Sequence, residues 1–299
     1  MSELTKSPAI KQGWLRALLI VIPFIIFTGI FQAIGMYVWS IISNQDFLEL
    51  AQNMANASAS SFAVLQIFGT VGTILLVWIF TRFIDRENFV DIGFSIKKRS
   101  KDILYGLLAG VFMMGIGSLL LYFSGNLTYD TINFNLIGLL QAVLLFIFVS
   151  INEEVFVRGY ILRNMMGSMN KYIALVISSV LFMALHLLNP NLSLVAIINL
   201  FLAGILLGIG YIFTKNLWFP LALHFSWNFF QGPIFGFEVS GTNTDSLISH
   251  TIQGSELLTG GKFGLEGSLL ATGLCTIAII IFWMVYKKQD IVSANSETI

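Results

Sequence analysis

Residues 171–215, KYIALVISSVLFMALHLLNPNLSLVAIINLFLAGILLGIGYIFTK, run from one lysine to the other without an Asp, Glu, Lys or Arg between them. A membrane-spanning helix uses about 20 mostly apolar residues, so this stretch is about twice one span. Asn189-Pro190-Asn191 near its middle is a turn signal. The stretch therefore reads as two apolar helices, 171–188 and 192–213, joined by a tight turn. No soluble fold needs so long a charge-free run.

The same pattern extends in both directions. Arg16 to Asp46, Glu49 to Arg82, Asp102 to Asp130 and Asp130 to Glu153 each enclose a charge-free stretch, as do Lys215 to Glu238 and Glu266 to Lys287. The expected spans are 16–43, 61–82, 103–124, 135–157 (its hydrophobic run continuing to 167), 171–188, 192–213, 217–231 and 268–286. The fold class is thus all-α: a polytopic membrane protein of about eight helices, with residues 1–299 as one membrane domain.

Composition agrees. Of 299 residues, 56% are hydrophobic and 11% charged, where a soluble domain carries about 25% charged residues. Net charge is zero, which argues against a nucleic-acid partner. One cysteine, Cys275, excludes an intrachain disulfide and a cysteine metal cluster. Basic residues sort by side. Lys6, Lys11 and Arg16, the cluster from Arg82 to Lys101, then Arg158, Arg163, Lys171, Lys215, Lys287 and Lys288 all fall to one face of the eight-span scheme. Only Lys262 falls to the other. That places both termini in the cytoplasm. Residues 84–101 become a basic cytoplasmic connection, and 232–265 a Gly-, Ser- and Thr-rich outer loop in which no chemistry is legible.

Ionisable groups inside a span are costly and face the bundle interior. Here they are few: Glu153, Glu154 and Arg158 on the fourth helix, His186 on the fifth, and His224 on the seventh with Asn228 one turn later. His250 lies in the outer loop and reads as ordinary. Glu153 is about 21 Å of helix from Gly167, and His186 about 22 Å from Lys171. If Gly167–Asn170 is a hairpin turn, those two residues share one depth. Spacings of four place Glu154 with Arg158, and His224 with Asn228, on common faces. Phe182, one turn before His186, is a packing wall for its ring. Gly204 and Gly208 form a helix-packing step, and Asn199 reads as an interhelical hydrogen-bonding residue.

These residue types allow hydrolysis. A carboxylate and a histidine can deprotonate a water, and His and Asn side chains can donate to a developing oxyanion. Alternatively, Glu153, His186 and His224 match the two-histidine, one-carboxylate set of catalytic zinc, although no His-Glu-x-x-His helix is present. The structural alternatives are a buried Glu154–Arg158 ion pair and ordinary packing histidines. A transporter or proton relay is the other functional class.

Asn152-Glu153-Glu154-Val155-Phe156-Val157-Arg158-Gly159 resembles the Glu-Glu-x-x-x-Arg motif of the type II CAAX prenyl endopeptidase and bacteriocin-processing (CPBP, or Abi) membrane proteases. Phe182–His186 is similar to their Phe-x-x-x-His motif, and His224–Asn228 to their His-x-x-x-Asn motif. The three occur in family order over a core of about residues 140–230. The resemblance implies up to eight spans around a cavity open to the cytoplasm. It implies that Glu153 and His186 activate the attacking water, that His224 and Asn228 stabilise the oxyanion, and that Glu154 and Arg158 support them. It implies a membrane-associated peptide or lipidated protein as substrate, cleaved by a glutamate-activated water without a required cofactor, with a zinc mechanism as the alternative. A bacteriocin immunity or binding protein of the same fold is a further alternative. The expected location is a prokaryotic plasma membrane.

Overall fold

The computed structural model describes residues 7–52 and 59–296; Lys6, counted above in the N-terminal basic tail, lies outside them. The charge-free stretches become helices: α1 (Gly13–Ser43), α2 (Ser60–Asp85), α3 (Ser100–Phe123), α4 (Leu136–Met166), α5 (Lys171–Leu185), α6 (Leu194–Thr214), α7 (Trp218–Phe229) and α8 (Leu269–Ser296). Among the described residues, six of these, all but α5 and α7, are long and apolar enough to cross a membrane. Their surfaces suit lipid. Ile22, Ile25, Ile26 and Ile30 of α1 are each more than half exposed, a run of bare aliphatic side chains that water would penalise.

Of the other two helices, α5 is shorter than expected and α7 changes its winding before its end. The span predicted at 171–188 is a helix of 15 residues that ends at Leu185. His186 caps it at φ −100° and ψ 1°, and Asn191 takes a left-handed φ of 59°. The Asn-Pro-Asn signal thus draws the residues before it out of the helix. The span predicted at 217–231 is α7, 12 residues, continued by a π-helical turn over Phe230–Ile234 that contains Pro233.

Close packing groups the described chain into two units, one reaching to Ile92 and resuming at Leu136–Ser168, the other comprising Gly93–Asn135 and the chain from Met169 onward. In the first unit α2 packs against both α1 and α4. Phe24 of α1 stacks on Phe156 of α4 with ring centroids 3.6 Å apart. Arg16 pairs with Asp85 at 2.7 Å, both buried, so a charge near the start of α1 and one at the end of α2 neutralise each other.

In the second unit α3 packs against α7, and α6 against both α5 and α8. Of the predicted small-residue step, Gly204 makes the close contact: a Cβ there would lie 2.7 Å from the Cβ of Ser179 on α5. A closer approach joins α3 to α7. A Cβ on Gly106 would sit 2.6 Å from the Phe219 carbonyl oxygen, and one on Gly110 2.5 Å from the Trp227 nitrogen. With no side chains in the way, Ser226 donates its hydroxyl hydrogen to the Leu107 carbonyl at 2.7 Å. Tyr286 of α8 donates to the Asp102 carboxylate of α3 at 3.0 Å.

Two strands, unforeseen in the sequence, join distant parts of this unit. β1 (Leu127–Ile132) pairs antiparallel with β2 (Ile248–Ile252), with a bulge between Tyr129 and Thr131. The connection 232–265 is therefore structured, with β2 and a short helix at Glu256–Thr259. His250 of β2 donates its Nδ1 hydrogen to the Phe235 carbonyl at 2.8 Å.

Gly110→Val is expected to destabilise the protein by at least about 1–3 kcal/mol through overpacking. Gly115→Ala, whose added carbon would have its nearest neighbour at 3.9 Å, is the neutral control; thermal unfolding in detergent compares them. A second outcome concerns pH. Burial lowers the pKa of His250, against the opposing Phe235 hydrogen bond and the charges of Glu238 and Asp130. The unfolded chain therefore takes up this proton first, and the contribution of neutral His250 declines as pH falls below about 6.5. Hydrogen exchange at β2, corrected for intrinsic rates, should show more frequent opening at about pH 5.5 than at about pH 7.5.

Candidate active site

The expected functional residues fall into two groups, each built within one unit. In the first, α4 changes its winding directly after the paired carboxylates. Leu136–Glu154 is α-helical and Val155–Leu162 is a π-helix, a rare form that often marks functional positions. All eight π-helical residues are buried. Arg158 meets Glu154 at 2.8 Å, both side chains almost wholly inaccessible, as the four-residue spacing predicts. Asn152 accepts a hydrogen bond from the Thr73 hydroxyl of α2 at 2.5 Å. Glu153 lies between these anchored neighbours and is only partly buried.

In the second unit, His186, His224 and Asn228 line a single cavity of ≈ 30 Å³, room for about one or two water molecules. Each is held by a different device. His186 follows the last turn of α5 and donates its Nδ1 hydrogen to the Phe182 carbonyl at 2.8 Å. A carbonyl can only accept, so Nδ1 carries the proton, and in the neutral ring Nε2 holds the lone pair. Phe182 is the predicted wall, its ring centroid 4.7 Å from that of His186 and 6.2 Å from that of His224. The glycine seam on α3 seats α7, which carries His224 and Asn228 one turn apart. The remaining lining is mainly Leu200, Ala203, Leu206, Leu207 and Leu223.

A family model of the type II CAAX prenyl endopeptidase Rce1-like proteins matches residues 135–230. The match is confined to this segment. It begins at the start of α4 and ends just past α7, and it contains all six residues singled out in the sequence. No curated protein and no solved structure matches the chain.

The cavity also has walls outside the matched segment. Ser240 and Glu266 line it, so the connection that showed no chemistry in the sequence contributes to the site. Glu266 was visible only as the charge that bounds the last apolar stretch. Its carboxylate accepts from the Ser240 backbone N–H, from the Ser240 hydroxyl at 3.0 Å and from the Trp227 indole N–H at 3.3 Å. Burial raises its pKa, partly offset by the Ser240 donors and His186. Asn199 bonds the root of this segment: its Nδ2 donates to the Glu266 and Ser268 carbonyls, each at 2.8 Å. The signal available in the sequence was a lone carboxylate between glycines, Gly264-Leu265-Glu266-Gly267, abutting a membrane helix.

Among the described residues, no three His, Cys, Asp or Glu side chains are grouped to hold a metal ion. Of the zinc set expected from residue types, His186 and His224 share the cavity of the second unit and Glu153 belongs to the first.

Removing one partner of the Glu154–Arg158 pair leaves a buried charge uncompensated. Arg158→Ala should cost about 3–5 kcal/mol, and Glu154→Leu combined with Arg158→Met should recover most of it. Equilibrium unfolding in detergent measures both.

Proposed function

We propose that the protein is an intramembrane endopeptidase that hydrolyses a peptide bond in a membrane-associated peptide or lipidated protein. The observation that carries this reading is the shared cavity of His186, His224 and Asn228 within a segment that matches the Rce1-like endopeptidases. Supporting it is the tautomer of His186. With Nδ1–H donated to a carbonyl, the basic lone pair of the neutral ring is on Nε2, the atom that would take a proton from water.

In this reading Glu153 and His186 together deprotonate the attacking water. Its oxygen adds to the scissile carbonyl carbon, and the carbonyl oxygen takes up negative charge. His224 and Asn228 donate hydrogen bonds to that oxyanion. Such donors are worth most in a water-poor cavity, because they need not reorganise as charge develops. Collapse of the intermediate breaks the C–N bond, and the proton held by the acid–base pair passes to the leaving nitrogen. Glu154 and Arg158 keep the segment next to Glu153 rigid and electrically neutral. The mechanism uses an activated water and no required cofactor.

The reading includes eight membrane passes, with α5 and α7 as the two short ones, both termini cytoplasmic and the plasma membrane as location. The asymmetry of Lys and Arg supports the orientation.

Glu153→Ala should reduce cleavage by several orders of magnitude, on the scale of about 10³-fold or more, with unfolding temperature preserved. The measurement is peptide release by reconstituted protein, its substrate identified by mass spectrometry of membrane peptides from cells with the active or the Glu153→Ala form. Equal cleavage by both forms would remove the proposal.

A further inference from the structure

The cavity contains a carboxylate that the proposed reaction leaves without a role. Glu266 comes after the segment that matches the Rce1-like endopeptidases, yet it lines the same cavity as His186, His224 and Asn228. It is fixed at both ends. Ser240 and Trp227 hold its carboxylate, and Asn199 holds its backbone, itself accepting from the Thr272 hydroxyl at 2.7 Å. A carboxylate that merely closed a loop root would gain most by facing water. This one faces inward, lining the same cavity as His186.

Its contacts also have a functional address. Trp227 lies between His224 and Asn228 on α7, and all three line the cavity. The indole that Glu266 holds is thus the neighbour of both proposed oxyanion donors. On the other side, a fixed negative charge beside an imidazole stabilises the cation formed when the ring takes a proton, the role a buried carboxylate plays beside a catalytic histidine.

We propose that Glu266 is a positioning residue of the histidine cavity: it fixes Trp227 and places a negative charge beside His186 as that ring takes the proton of the attacking water. The proposal rests on the hydrolytic reading above. The water proton goes to the acid–base pair and later to the leaving nitrogen; Glu266 takes up none.

The test compares Glu266→Gln and Glu266→Asp in full-length protein in lipid nanodiscs. Glu266→Gln keeps shape and removes charge. Its kcat should fall roughly ten- to a hundredfold with KM changed by less than about twofold, and Glu266→Asp should restore part of the loss. A purely structural role would lower the yield of folded protein without splitting kcat from KM. The second readout needs no activity. The Trp227 indole N–H resonance, assigned with Trp227→Phe, should move upfield in Glu266→Gln as its charged acceptor is lost. Wild-type cleavage with unchanged kcat in Glu266→Gln overturns this inference and leaves the peptidase reading standing. If wild-type protein cleaves nothing, the peptidase reading fails, and an unmoved indole signal then overturns the fixing of Trp227 as well. Should Glu266→Gln not fold, Ser240→Ala removes only a hydroxyl donor to the carboxylate. A lower kcat at constant KM supports the proposal there, and unchanged kcat with an unmoved indole overturns it.

Discussion

The approach of α3 to α7 through Gly106 and Gly110 is the constraint on which the second unit depends. α7 is only 12 residues long and carries both His224 and Asn228. Backbone contact, with Cβ positions that would overlap α7 atoms, holds this short α-helical stretch in place. Because packed interiors deform little, a helix seated that tightly presents its side chains at fixed depth and rotation. His186 is fixed differently, by its own last helical turn and the Phe182 ring. Two independent supports thus converge on one cavity.

The first unit solves a different problem. It buries Arg158 and Glu154 completely, and desolvation of two ions offsets much of their attraction. Such a pair adds little net stability. What it supplies is rigidity and charge balance in a π-helical segment whose backbone departs from the α-helical ladder. Phe24 stacked on Phe156 and Thr73 bonded to Asn152 add to the same effect. Glu153 is flanked by groups with no freedom to move.

Much of this was legible in the sequence because lipid makes charge positions diagnostic. Boundaries such as Arg16, Arg82, Asp102 and Lys215 lie close to real helix ends, and the Glu154–Arg158 pair, the Phe182 wall and the Gly204 packing step follow from helical spacing alone. What local pattern could not supply is whatever depends on pairing across distance. β1 and β2 are far apart in the chain and carry no strong alternation. The π-helix has no known compositional mark here. Glu266 becomes part of the cavity only because Asn199 and Ser240, remote in sequence, draw it there. The shortening of α5 was half legible: the Asn-Pro-Asn turn was seen, but not that the helix stops before His186 and leaves it as a cap.

The strand pair and the Glu266 wall also bear on the order in which the molecule is made. β1 precedes α4, whereas β2, Glu266 and α8 leave the ribosome after α7. Segments fold as they emerge, and pairings between distant segments wait for the later partner. The histidines and Asn228 are therefore in the chain well before the wall that closes beside them. The cavity is finished only once Glu266 has followed them, so a chain that has emerged only as far as α7 has no finished cavity in which to hold a neighbouring polypeptide.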